Sequence, residues 1–405
     1  MVSLRSLLLV LAALVPLGVG AQTPVDWSDV LAAARGRTVH FNAWGGKDEI
    51  NDYVAWVGAQ VKARHGIELI HVKLADTADA VARIVAERQA DLARGGAMRP
   101  GSVDLLWANG ENFARLKAAG LLFGPWAERA PNFAWVDRGK PTNFLDFGTP
   151  VEGMAAPYGF FQLNFVHDGR RVPTPPRSAG ALLAWIKANP GRFTYPSPAN
   201  FIGHSFLKQL ARELAVDPAA LDRPVAAVDP AAVTAPLWAW LAEARPHLWR
   251  RGATFPEGET ALRQLLADGE VDFSISFGPG ETSAAIEQGL LPPTTRTFVF
   301  DGGTVGNTSF VMIAYNSAVA AAAMVVADFL MSPEAQARKQ DPRVWGAFTV
   351  LDVARLPPAD RARFDALPLG VATLDPVALG RPLSEPHFTW TEWLQAEWRR
   401  RHEGR

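Results

Sequence analysis

The chain has 405 residues, 48% of them hydrophobic and 20% charged, which is enough for two packed cores and too apolar for extended disorder. Lys and Arg total 40 against 41 Asp and Glu, a formal net charge of −1, so no basic field is available for phosphates and nucleic acid is excluded as an expected partner. Cysteine is absent, which rules out disulfides, a thiol nucleophile, a thiolate metal site and a cysteine-linked lipid.

Residues 1–21 read as a secretory signal peptide. Arg5 precedes the apolar run Leu7 to Val19, and Val19-Gly20-Ala21 offers the small residues a signal peptidase needs. Cleavage there starts the mature chain at Gln22 and sends it, as a soluble protein, to the periplasm. Trp27 to Ala34 then predicts a short helix, and Thr38 to Asn42 a buried strand. A helical stripe follows with Ile50, Tyr53, Val54, Val57 and Val61 on one face. Glu68 to Val72 is the second strand, Asp76 to Ala90 an amphipathic helix, Val103 to Trp107 the third strand and Glu111 to Ala119 its helix. That alternation calls for a mostly parallel sheet covered by helices.

The regular periods break between Pro125 and Pro150, and the apolar segment Met154 to Val166 is read as the first crossing into a second lobe. There the alternation resumes. Helices are expected over Ala179–Lys187, Gly203–Leu214, Ala231–Ala244, Glu259–Ala267 and Thr282–Gln288, with strands at Phe193–Tyr195 and Val271–Phe277. Arg296 to Phe300 reads as a strand that carries the chain back, followed by the strand Phe310–Tyr315 and the helix Ala318–Leu330. The helix Trp390–Arg401 closes the chain, its Arg399-Arg400-Arg401 run a solvated end. The expected organisation is lobe 1 from 22–157 and 300–405, C-terminal helices included, and lobe 2 from 158–299. Between two such lobes lies a cleft, and ligands of open α/β sheets collect at the C-terminal ends of the strands.

Several fragments imitate catalytic motifs. Gly203-His204-Ser205-Phe206-Leu207 begins like a nucleophile elbow but carries Leu207 where the turn requires glycine. Gly302 to Asn307 is glycine-rich yet lacks the spacing and lysine of a phosphate loop. The eight histidines form no metal-binding spacing. Neither an enzyme nor a cofactor is expected; a serine hydrolase built on Ser205 and His204 is the catalytic alternative.

Polar-aromatic turns beside the strands hold the candidate ligand residues. They are Trp44, Gly45, Gly46 and Lys47 after the first strand; Trp107, Asn109, Glu111 and Asn112 after the third; Tyr158 in the crossing segment; Phe277 and Glu281 after the second-lobe strand; and Thr304 and Asn307 before Phe310. Glycine permits close backbone approach, amides and hydroxyls hold polar groups, and aromatic faces stack on rings or cations. Five have a structural alternative: Trp44 a packed turn residue, Trp107 core, Glu111 a helix-starting residue beside the dipole, and Asn307 and Tyr158 a structural role without a ligand contact.

Three segments, VHFNAWGGKDEINDYVAW (Val39 to Trp56), VDLLWANGENFARLK (Val103 to Lys117) and GTVGNTSFVMIAYNS (Gly303 to Ser317), resemble periplasmic substrate-binding components of bacterial ABC transporters. Within them the chain is most similar to a branch compared with thiamine-, iron- and polyamine-type binding proteins. Phe329 to Gln336 is similar to the helix that follows the crossover in such proteins. The resemblance implies a two-lobed Venus-flytrap fold, a monomer that closes on a small ligand, and delivery to a membrane permease driven by a cytoplasmic ATPase. It departs from the iron-type pattern, since the chain has only 4 tyrosines, spread widely. A small organic cation such as a thiamine-like compound fits best, with a sugar or an anion as other ligand classes. A ligand-sensing partner of a membrane receptor is the other functional reading.

Overall fold

The computed structural model describes residues 26–402, so the expected signal peptide lies outside the described residues. The strands are β1 (Thr38–Trp44), β2 (Glu68–Leu74), β3 (Leu105–Ala108), the hairpin β4 (Leu145–Asp146) and β5 (Thr149–Pro150), β6 (Ala155–Gln162), β7 (Asn164–Asp168), β8 (Phe273–Ser276), β9 (Thr295–Phe298), β10 (Val305–Ile313) and β11 (Leu383–Ser384). They form a six-stranded sheet ordered β11-β10-β3-β1-β2, with β6 also on β10, and a three-stranded sheet β8-β7-β9. Two lobes result, each around its own core.

The helices form where the apolar period puts them. Asp48–His65 buries Ile50, Tyr53, Val54, Val57 and Val61 on one stripe and ends at Gly66, whose φ of 68° turns the chain out. Fully burying an aliphatic side chain of this size contributes about 1.5–3 kcal/mol, so this stripe rather than helix propensity holds the segment. Helices cover both faces of the larger sheet. One face packs Phe41, Tyr158, Val311 and Ile313, and the other packs Val81, Leu106, Phe113 and Met312. The second core gathers Phe165, Phe206, Trp240 and Phe273.

The expectation of mostly parallel sheets is corrected. Among the described residues, only β1–β2, β1–β3 and β10–β11 are parallel; β10 runs antiparallel to β3 and β6, and β7 antiparallel to β8 and β9. The crossings explain this. β6 carries the chain out of the first lobe and β10 brings it back, so these neighbours must run in opposite directions. Likewise β7 enters the second lobe, and β8 and β9 return toward the cleft.

Phe193–Tyr195 is buried but joins no ladder; the Phe193 carbonyl accepts from the Trp249 amide at 2.8 Å. β9 stays in the second sheet, and the return to the first lobe follows it, between Phe300 and Val305. The last helix, Thr389–His402, buries Trp390, Leu394 and Trp398 in the second core, although the chain-order reading grouped residues 300–405 with lobe 1. The C-terminal segment therefore makes a third crossing, pinned where Leu383 donates to the Thr304 carbonyl at 2.9 Å.

Candidate ligand-binding site

The parallel strands β1, β2 and β3 end on one edge, and the helices that follow them start there. A cavity of about 670 Å³ opens between this edge and the second lobe, within the size range of small-molecule sites. Trp44, Lys47, Trp107, Asn109 and Asn112 line it from the first lobe, Phe277 and Glu281 from the second, and Asn307 from the crossing strand β10.

Each is placed by its local backbone. The Trp44 indole folds over Gly46, where a Cβ would lie 2.3 Å from the ring, so only glycine permits that pose. Gly45 is similarly crowded, a Cβ meeting Lys73 at 2.7 Å. These two glycines shape the turn and do not line the cavity. Gly110 has a φ of 61° and donates its amide to Asp146 at 2.7 Å. Asn109 spends its amide protons on Asp146 at 3.2 Å and on the Thr308 carbonyl at 2.7 Å, which leaves its carbonyl oxygen for a ligand.

Besides those two glycines, three further expected residues lie outside the cavity lining. Tyr158 is wholly buried in the first core, where its ring lies 5.2 Å from Trp107 and 5.7 Å from Trp345. It buttresses the aromatic wall rather than forming it, because side chains alternate along a strand and Tyr158 points into the core that holds Phe41, Val311 and Ile313. Thr304 is buried at the crossing and its hydroxyl accepts from Gln162 at 3.1 Å. Glu111 begins its helix exposed to solvent and outside the cavity lining.

The structure adds residues that sequence spacing did not connect. Trp345 completes the wall with Trp107 at 5.7 Å and Phe161 at 6.0 Å. Phe201 stands edge-on to Phe277 at 4.9 Å across the second-lobe side. His204, considered above only for catalysis, lines the cavity. Burial, reinforced by the Lys208 charge, holds its imidazole well below its ordinary pKa and therefore neutral. Ser205 beside it is fully buried, with no hydrogen-bond partner for its hydroxyl among the described residues, so no base stands ready to activate it.

Glu259 is the most consequential addition. It opens the helix Glu259–Ala267 as Glu281 opens Glu281–Glu287, both behind glycine N-caps that leave the dipole ends facing the cleft. Glu281 was singled out by its place after the second-lobe strand, whereas Glu259 opens a helix after Gly258 with no strand before it, so that rule passed it over. Lys47 reaches from the first lobe to Glu281 at 2.8 Å, and Ser276 donates to the same carboxylate at 3.0 Å. Both glutamates lie deep in the cleft yet keep part of their side chains open to the cavity. Desolvation followed by the neighbouring Glu281 charge pushes the Glu259 carboxyl well above the carboxylate range. Glu281 also suffers desolvation, but Lys47 outweighs it and keeps this carboxyl low.

The bacterial extracellular solute-binding protein family matches residues 56–362 of the chain. Protein YnjB of Escherichia coli (strain K12) is 44% identical over 377 residues, 93% of this chain and 94% of that protein. Among solved structures, an ABC transporter protein from Clostridium perfringens ATCC 13124 superimposes with a TM-score of 0.63 at 14% identity, covering 89% of this chain and 97% of that one. The periplasmic binding protein AfuA from Actinobacillus pleuropneumoniae, with fructose-6-phosphate bound, gives 0.58 at 12% identity over 90% and 98%. Iron-bound HitA from Pseudomonas aeruginosa gives 0.57 at 16% over 89% and 98%. These likenesses carry the two-lobed fold, and the fold and family are those of proteins that bind solutes rather than transform them. The chain belongs to the bacterial extracellular solute-binding proteins of the periplasmic type, the ligand-capturing components of ABC transporters.

Proposed function

We propose that the protein is exported to the periplasm, captures a small organic cation bearing a flat ring (thiamine-like in chemistry) and delivers it as a monomer to an ABC permease. The observation that carries this reading is the charge and surface of the cleft. Glu259, Glu281 and Asp76 face a single lysine, Lys47, across a cavity walled by Trp44, Trp107, Trp345, Phe161, Phe201 and Phe277. Indole faces attract cations and stack on heteroaromatic rings, and desolvation in a cleft strengthens both effects. A ligand touching Trp107 and Glu281 at once contacts both lobes, so it binds the closed state more tightly, and that difference is what a permease can read.

The test is a thermal-shift screen of the mature protein with thiamine, other organic cations, sugars and oxyanions, because a ligand bound only by the folded state raises its apparent stability. Organic cations should raise the midpoint, and Trp107→Ala and Trp44→Ala should weaken their binding while leaving the fold intact. A shift confined to sugars or oxyanions, or unchanged cation affinity in both variants, defeats the reading.

A further inference from the structure

The carboxyl pair at the second-lobe side of the cavity has an arrangement that the capture of a cation does not by itself require. Glu259 and Glu281 line one small void together with Ser276, whose hydroxyl donates to Glu281 at 3.0 Å. Lys47, from the opposite lobe, already seats one ammonium against the pair at 2.8 Å from Glu281. Arg263, one turn along from Glu259, adjoins the pair from behind through a small void of about 10 Å³, and the neutral His204 faces the same cavity from the neighbouring helix. Two carboxylates partly withdrawn from solvent, with one ammonium paired to Glu281, make a cluster that does not hold both negative charges cheaply.

We infer that the Glu259–Glu281 pair is a proton-exchanging cation subsite, which gives up one proton when the cationic group of the ligand enters between it and the aromatic wall. The inference rests on the organic-cation reading above. In the empty cleft, Lys47 compensates Glu281 and a proton compensates Glu259. When a ligand cation arrives, Glu259 becomes the counter-charge and its proton leaves to solvent, so the net charge of the cleft is unchanged. The high carboxyl pKa of Glu259 in the empty cleft, caused by desolvation and the adjacent Glu281, is the state this exchange starts from. Linkage then sets the sign: a cation that favours the ionised form binds more tightly as pH rises, by up to about tenfold per pH unit while one proton is exchanged. The specificity that follows is for a cation over a neutral ring of the same shape.

The experiment is isothermal titration calorimetry of the mature protein with two permanently charged probes, thiamine and N-benzylpyridinium, at pH 5.5, 6.5 and 7.5 in buffers of different ionisation heat. We expect affinity to rise across that range, by at least tenfold in total, with close to one proton released at pH 6.5. Glu259→Gln should bind the probes more weakly, with flat pH dependence and no proton release. Glu281→Gln should lose proton release from the other side of the pair, and it carries the test if the first variant does not fold. Binding that is independent of pH, or equal proton release in both variants, overturns the subsite and leaves the organic-cation reading standing. If neither probe binds at any pH while a sugar or oxyanion does, the cation reading falls and this inference with it.

Discussion

Replacing Lys208 with methionine should destabilise the protein by about 3–5 kcal/mol, the cost of leaving a buried charge without its partner. Lys208 lies on the helix Phe201–Leu214 of the second lobe, and its ammonium is 3.1 Å from the Glu385 carboxylate, with side-chain exposures of 0% and 1%. Neither the ammonium nor either Glu385 oxygen has a well-aligned hydrogen bond among the described residues, although the ammonium lies 4.6 Å from the Phe147 ring centroid. Methionine preserves most of the aliphatic volume, so the loss reports the stranded Glu385 rather than a cavity. The double variant Lys208→Met with Glu385→Leu removes both charges, and it should recover most of the loss or exceed the parent in stability. Urea denaturation at pH 7.5, followed by tryptophan fluorescence, measures all four corners of the cycle. A single variant within about 0.5 kcal/mol of the parent, or a double variant no better than the single, would refute the view that this pair acts as a desolvated unit. Because the same helix presents Phe201 and His204 to the cavity, the single variant should also weaken ligand binding, and the double should restore it.

Three further outcomes follow from the same region and from the cleft. Burial pushes the Asp146 carboxyl up to about 7 despite its bonds from Asn109 and Gly110. The folded state therefore holds a proton that the unfolded chain releases near pH 4, and stability present below that pH is lost as pH rises toward 7. The whole effect is roughly 4 kcal/mol; Asp146→Asn should flatten that stretch of a melting-temperature profile. Lys47→Met removes a cross-cleft pair whose side chains are 41% and 22% exposed, a loss of roughly 0.5–1 kcal/mol. It should raise the open-to-closed ratio of the ligand-free protein about two- to fivefold, read by distance measurements between labels on the two lobes. Tyr158→Phe removes a buried hydroxyl with no partner among the described residues; stability should change by less than about 1 kcal/mol and ligand affinity by less than about twofold.

Much of the fold was legible because it is written in local periods. The stripe from Ile50 to Val61 and the helix Glu259–Ala267 appear where spacing placed them. Trp44, Lys47, Trp107, Asn109 and Asn112 were singled out because loops after parallel strands gather at one sheet edge, and they line the cavity because that half of the sheet is parallel. The direction of β10 was not legible, because a strand's hydrophobic pattern is the same whichever way its neighbour runs. Tyr158 was expected at the cleft as an aromatic of the crossing segment, but the way its face of β6 packs into the first core was set only when that strand paired with β10.

From the sequence alone came most of the helices and several of the strands, the absence of cysteine chemistry, the turns rich in glycine and aromatics, and the resemblance to solute-binding proteins. These depend on neighbours a few residues apart, or on composition, and need no knowledge of the distant chain. Tertiary structure alone decided that Glu259 stands beside Glu281, that Lys47 meets them from the other lobe, and that Trp345 closes the wall begun by Trp107. The reason is that charge coupling and desolvation act through space, between groups whose separation along the chain carries no trace of their proximity.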